Sequence, residues 1–311
     1  MSLTTYELES NVKNIISSRR IKNKAVILCE GDISSVKNVG LNPSMYRKLE
    51  RKPDADFYKA CLPRNMRRNN APQFFNCGGR SDVIKVYLKL KKLHQTPQED
   101  SFLDIKKLFA IRDLDIQKAN IDNYSFQDTE KIFYNLYNEL EINHNNIDNH
   151  IIFTTGLIHK EAYFLLPALK EFFDNYKNPL FYGNDEFRLS KIYADIIKDI
   201  DKDQDLIENF DTVCNRINFS ELNTSTVSEL KKSFLNKIND DIDDKLIYIL
   251  FLIRKIKPYW KKIDTDENIE AYKLREQLAL EIAKFYADKD DDKFHITAIL
   301  KSIYKQAYGE I

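Results

Sequence analysis

Four short apolar runs punctuate the first half of the chain, and each stops at glycine or a charged residue. They are 25–29 (AVILC), halted by Glu30-Gly31; 74–77 (FFNC), halted by Gly78-Gly79; 108–111 (LFAI), halted by Arg112-Asp113-Leu114-Asp115; and 151–155 (IIFTT), halted by Gly156. Runs this short, with β-branched and aromatic members, read as strands buried on both faces. Helical periodicity fills the intervals over 4–20, 82–93 and 129–140, and a further helix is expected to begin near His159. Alternating strand and helix predicts βα units and a parallel sheet flanked by helices. The ligand site of such a sheet lies beyond the carboxyl ends of its strands. Glu30, Gly78-Gly79, Asp113, Asp115 and the stretch before Glu161 all fall at those ends.

Beyond about residue 170 the strand pattern fades. Segments 187–200, 227–238, 244–256, 267–286 and 294–308 carry helical periodicity, separated by acidic punctuation such as 201–205 and 288–292. The expected organisation is an N-terminal helix (1–20), an α/β domain (21–170) and an all-helical domain (171–311). Residues 40–70 interrupt the first crossover. Within them, 46–70 carry eight Lys and Arg against three Asp and Glu, interleaved with Tyr46, Phe57, Tyr58 and Met66.

Composition narrows the class. Seven Gly and eight Pro in 311 residues fall well below the ~12% that Gly and Pro together make up in average usage, which argues against collagen-like repeats and many-turned β-sandwiches. No run approaches the ~18 apolar residues of a membrane span, and the first residues lack the basic and apolar regions of a signal peptide; the expectation is a soluble cytoplasmic protein. Four Cys without a CxxC spacing predict neither a zinc site nor a disulfide framework. The 48 basic and 48 acidic side chains cancel, yet residues 1–100 hold 19 of the basic and only 10 of the acidic ones. A basic first third points to a polyanionic partner, whose exposed bases could stack on Tyr46, Phe57 or Tyr58. Phosphate-binding Gly-x-x-x-x-Gly-Lys-Ser/Thr, Gly-x-Ser-x-Gly and His-Glu-x-x-His are all missing from the chain, which disfavours P-loop, α/β-hydrolase and zincin chemistry.

An acid after one buried strand and Asp-x-Asp after another can hold a hard cation such as Mg²⁺, which takes carboxylate oxygens and completes its shell with water and substrate phosphate. Asp82 reads as a helix cap, Cys29 and Cys77 as small core residues, His159-Lys160 as a surface pair and Trp260 as a packing anchor. Glu161 also fits a first-turn helix acid.

The segments ILCEGD (27–32), FFNCGGRSDV (74–83), FAIRDLDI (109–116) and HKEAYFLL (159–166) together resemble the Toprim family. The branch they are most similar to contains overcoming-lysogenization-defect-type nucleases and stand-alone Toprim effectors of ATPase-linked phage-defence systems. The resemblance covers 24 to about 170. It implies a Toprim-like, Rossmann-like sheet and a metal-dependent nuclease that hydrolyses phosphodiester bonds in DNA or RNA, tRNA included, with Mg²⁺ or Mn²⁺. Glu30 would be the metal-linked general acid/base, Asp113 and Asp115 metal ligands, and Glu161 a further acid of the cluster. Arg80 would meet a phosphate; apart from the resemblance, the net charge of the basic insertion predicts that Arg64, Arg67 and Arg68 meet nucleic acid. A separate ATPase partner and a role in antiviral defence complete what the resemblance implies; the helical domain, with little predicted chemistry, would be a docking or homodimer surface, and the lack of an apolar span predicts no membrane contact. Its Glu-Gly-x-x-Asp pattern is broken here, because Ser34 takes the last position and Asp32 lies two residues earlier. A non-catalytic nucleic-acid-binding or protein-interaction module is therefore the alternative.

Overall fold

The computed structural model describes residues 3–31, 53–68, 70–94, 101–217, 219–237, 243–267, 269–289 and 294–309. All four apolar runs form strands: β1 (Val26–Cys29), β2 (Gln73–Asn76), β3 (Leu108–Arg112) and, after a two-strand hairpin of β4 (Tyr137–Asn138) and β5 (Glu141–Ile142), β6 (Ile152–Thr154). They make one all-parallel sheet in the order β2-β1-β3-β6. Every residue of β1, β3 and β6 is buried, which is why their sequences do not alternate and are apolar up to Arg112 and Thr154, the last residues of β3 and β6. The chain winds from β1 outward to β2, then crosses back to β3 and on to β6. Winding therefore reverses between β1 and β3, and this is the sheet's topological switch point.

Local chemistry starts the flanking helices. Thr5–Ile16 opens with a capping box: the Glu7 N–H donates to Thr4 Oγ1, and Glu7 Oε2 accepts from the Thr4 N–H at 2.8 Å. Asp128 caps Thr129–Leu136 by accepting from the Lys131 N–H at 2.9 Å. Helix was expected through 140, but the chain leaves it after Leu136. Glu139 adopts a left-handed conformation (φ 55°) between β4 and β5, and the Tyr137 hydroxyl donates to the Thr154 carbonyl at 2.8 Å.

Contacts divide the chain into two compact units, 1–113 with 119–155 and 283–311, and 114–118 with 156–282. Three stretches fall on the other side of the expected boundary, the shortest being 114–118, which goes with the second unit. Residues 156–170 belong with the helical unit. Helix His295–Tyr308 belongs with the sheet unit, where Ser302 Oγ donates to Asp148 Oδ1 at 2.7 Å and His295 Nε2 lies 2.6 Å from the Leu140 carbonyl. The second unit is largely helical, with Leu189–Lys198, Val227–Lys237 and Asp244–Ile253 close to expectation. It is not all-helical. Three two-residue strands, β7 (Phe181–Tyr182), β8 (Asp185–Glu186) and β9 (Ile263–Asp264), form a small antiparallel sheet ordered β8-β7-β9. The acidic stretch read as punctuation contains a short helix, Gln204–Glu208, begun by Asp203. No helix among the described residues is long and apolar enough to cross a membrane.

Candidate functional site

The sheet unit brings two of the sequence-selected acids together. Glu30 follows the last residue of β1 and Asp113 follows the last residue of β3, so both stand at the carboxyl edge of adjacent strands, on either side of the switch point. Both are half-buried. The Asp113 N–H donates to Glu30 Oε1 at 3.1 Å, which aims the Glu30 carboxylate across the gap between the strands.

The glycines beside this pair have a steric reason. Past the ends of β1 and β2 the two loops exchange backbone hydrogen bonds, Gly31 N–H to the Gly78 carbonyl and Gly78 N–H to the Gly31 carbonyl, both at 2.9 Å. A Cβ on Gly31 would lie 2.5–2.6 Å from three atoms of the Asn76 amide. Gly78 has φ +91°, in the region that glycine adopts without penalty. Glu-Gly and Gly-Gly are thus two halves of one loop-to-loop clamp that holds Glu30 in place.

Asn76 is a feature of this edge that the sequence pattern did not single out as functional, and Tyr58, expected to stack an exposed base, lies here in the interior. Asn76 closes β2 fully buried, with the Cys29 thiol 3.5 Å from its Oδ1. Its place just before Gly78-Gly79, as the one polar residue in an apolar run, was the available sign. Tyr58 belongs to helix Pro53–Ala60 and is 1% exposed. Burial pushes its hydroxyl well above the usual tyrosine range, and the negative charge of Asp113, with lesser effects from Cys29, Glu30 and Asp54, adds to this. Phe57 is equally buried, its ring centroid 5.4 Å from that of Tyr58. Both aromatics are core side chains, so the expectation that they stack exposed bases fails.

The basic residues find varied surroundings. Arg80 is the first residue of helix Arg80–His94. Asp82 is that helix's third residue and accepts from the Gly79 N–H at 3.1 Å, so it reaches back from inside the first turn instead of standing at the cap position. Arg64 pairs with Asp288 at 3.1 Å. Arg67 donates to the Leu62 and Ala60 carbonyls at 2.7 and 2.6 Å, tying down its own turn. Arg68 is exposed. Asp32, Ser34, Tyr46 and the rest of 32–52 lie outside the described residues.

Asp115 and Glu161 fall in the second unit. Asp115 sits in the left-handed region (φ 51°), which short polar side chains tolerate by bonding locally. Its Oδ1 accepts from the Ile116 N–H at 2.7 Å, and its carbonyl accepts from Arg216 at 2.6 Å. Glu161 lies in the fully buried 3₁₀ segment Lys160–Leu165. Its Oε2 is 3.1 Å from His159 Nδ1 and its Oε1 3.4 Å from Lys257 Nζ. Desolvation works against its charge, but Lys160, His159 and Lys257 outweigh it and hold the carboxyl well below the usual range. His159 is buried, not superficial as expected, and its Nε2 accepts from the Ile256 N–H at 3.0 Å. The proton of the neutral ring then sits on Nδ1, facing Glu161.

Cys29 and Cys77 are core residues, and burial raises the Cys77 thiol far above its ordinary value, the opposite of what a nucleophilic thiol needs. Trp260 is buried against Phe164, ring centroids 4.9 Å apart. Among the described residues no three or more His, Cys, Asp or Glu side chains gather in a way that could hold a metal ion. Comparison with protein-family models, with curated proteins and with solved structures finds no match for this chain.

Proposed function

We propose that the chain is a Mg²⁺- or Mn²⁺-dependent nuclease of Toprim type that hydrolyses phosphodiester bonds in DNA or RNA. The observation that carries this reading is the meeting of Glu30 and Asp113 across the β1/β3 switch point, joined by a 3.1 Å hydrogen bond. Open α/β sheets bind ligands in the crevice there. Two carboxylates on adjacent strand ends suit Mg²⁺, which is commonly held by one or two carboxylates and otherwise by water and substrate phosphate. When bound, the ion would polarise a phosphoryl oxygen and lower the pKa of a water. Glu30 would accept and return the proton of the attacking water. Asp113 would contribute a ligand oxygen while its N–H orients Glu30. The Gly31–Gly78 clamp would keep that carboxylate from swinging.

Asp115 and Glu161 join the proposal by resemblance alone, as further metal ligands. The same resemblance proposes a separate ATPase that restrains or activates the nuclease, a role in antiviral defence, tRNA among the substrates and dimerisation through the helical unit. A non-catalytic binding module is the second reading. It is favoured by Glu161, whose two carboxylate oxygens already face His159 and Lys257.

Cleavage of a mixed DNA and RNA panel with Mn²⁺, by wild type and Glu30→Ala, tests the proposal. Wild type should cut and the variant should not, with equal melting temperatures in metal-free buffer. Equal cutting by both would refute the assignment of Glu30. Mn²⁺ should also raise the melting temperature of the wild type, because a ligand bound only by the folded state stabilises it. Neither cleavage nor a shift would decide for the binding module.

A further inference from the structure

A second collection of positive charge lies where the strands begin, at the end of the sheet opposite Glu30 and Asp113. After helix Thr5–Ile16 the chain makes a 3₁₀ turn, Arg19–Ile21, and a second turn through 22–24 into β1. Ile21 is fully buried and anchors the turn, which is held by Lys22 N–H to Arg19 carbonyl (3.3 Å) and Lys24 N–H to Ile21 carbonyl (2.9 Å) bonds. Arg19, Arg20 and Lys22 are left exposed and Lys24 half-exposed. β3 begins in the same way, from the 3₁₀ turn Ile105–Lys107. Because Val26 pairs with Leu108 in parallel register, Lys24 and Lys106 each stand two residues ahead of the same rung. Tyr308, from helix His295–Tyr308, bridges the starts of the two strands: its hydroxyl accepts from the Ala25 N–H at 2.6 Å, and Lys107 Nζ lies 4.7 Å from its ring centroid.

No carboxylate among the described residues pairs with Arg19, Lys22, Lys24, Lys106 or Lys107. Asp104 is the acid in this turn, and its side chain accepts from the Lys106 N–H at 3.0 Å. Five cations collected on two rigid turns repel one another and attract a multiply charged anion.

We infer that this amino edge of the sheet is an anchoring surface for the sugar–phosphate backbone of a nucleic acid, separate from the candidate cleavage edge. β3 spans five residues, so at about 3.3 Å per residue the two edges are roughly 16 Å apart. That is about five nucleotides at ~3.4 Å each along one strand of a duplex, a span one substrate can bridge. The choice of nucleic acid over other polyanions rests on the proposed hydrolysis of phosphodiester bonds, and the test therefore reads binding in EDTA, where no cutting occurs.

Anisotropy of a labelled 30-mer, single-stranded and duplex, is measured from 50 to 200 mM KCl for wild type and for Arg19→Gln/Lys22→Gln/Lys24→Gln/Lys106→Gln. Each lost phosphate contact lowers the slope of log K against log salt by about 0.7 on single strands and 0.9 on duplex, so four should lower it by about 3–4 and weaken binding at least tenfold at 100 mM. The matching variant with arginine at 22, 24 and 106 should bind like wild type. Equal affinity and slope for wild type and the glutamine variant would overturn the inference, as would a wild type that binds neither oligonucleotide. Lysine-dependent binding to phosphatidylserine vesicles without oligonucleotide binding would assign the surface to a membrane and overturn it equally.

Discussion

Gly31→Ala is the sharpest test of the clamp that holds Glu30. The new Cβ would lie 2.5 Å from Asn76 Cγ and 2.6 Å from both Nδ2 and Oδ1, about 0.9 Å inside the 3.4 Å at which ordinary contact begins. Asn76 is fully buried beside Cys29, so its amide has little room to retreat. Gly31 is pinned from the other side by its two 2.9 Å bonds to Gly78. Overpacking of this kind typically costs about 1–3 kcal/mol. Asn76→Ala alone should cost less, within about 1 kcal/mol, because among the described residues the amide's hydrogen bond is the long 3.5 Å contact from the Cys29 thiol and its buried Nδ2 meets no acceptor. Combined, the two changes should recover at least half of the loss, since the methyl group then occupies the space of the amide. The assay is urea denaturation followed by far-UV circular dichroism. Fluorescence of Trp260 is the wrong probe, because that residue belongs to the other compact unit. Independent sites add to within about 0.3–0.5 kcal/mol. A double variant that is simply additive, or a Gly31→Ala protein as stable as wild type, would refute the steric account.

Two further outcomes are expected. His150 and His295 are both fully buried, and desolvation lowers each to a pKa of about 4, against about 6.5 unfolded. The unfolded chain therefore binds more protons, and the stabilisation is complete above about pH 6.5 and drains away as pH falls toward 4. The slope is about 1.4 kcal/mol per pH unit for each histidine; urea titrations between pH 6 and 5 should show it reduced by one such increment in His295→Gln, and an unchanged slope would be contrary. In the second unit, Arg254 pairs with Asp203 and donates to the Tyr259 hydroxyl at 3.0 Å, with the Arg254 and Asp203 side chains 7% and 9% exposed. Arg254→Ala should cost about 3–5 kcal/mol by leaving Asp203 buried without its partner, and adding Asp203→Asn should return part of it; a single-variant loss under 1 kcal/mol would show the pair to be well solvated.

What could be read from the chain, and what could not, divides by the range of the interactions. The strands were legible because a strand buried on both faces is apolar along most of its length, and Glu30-Gly31, Gly78-Gly79 and Asp113 announce the ends of β1, β2 and β3; Arg112, expected to halt the third run, is instead the buried last residue of β3. The Glu30–Asp113 pair was legible for the same reason: two acids following two adjacent parallel strands have to meet at one edge. Partners set by tertiary contacts left no local mark. Nothing in HKEAYFLL says that Glu161 faces Lys257, ninety-six positions later, or that Ile256 donates to His159. Helical periodicity over 294–308 shows that one face is buried, but not that it lies against Asp148 and Leu140. The two-residue strands β7, β8 and β9 are too short to carry any period.

Charge density along the chain and charge density on the surface are different quantities. The densest basic run drew attention to 46–70, yet in its described part Phe57, Tyr58 and Met66 are core, Arg64 is paired and Arg67 secures its own turn. The sparser cations of Arg19–Lys24 and Lys106-Lys107 lie far apart in sequence, and only the parallel register of β1 and β3 makes them one surface. A count of charge along the chain measures density in one dimension, whereas a polyanion responds to density on a surface. Parallel strands convert sequence separation into adjacency at both of their ends. The same register that sets Glu30 beside Asp113 at the carboxyl edge places Lys24 and Lys106 two residues ahead of one rung at the other, although Arg112 closes β3 on the acidic side.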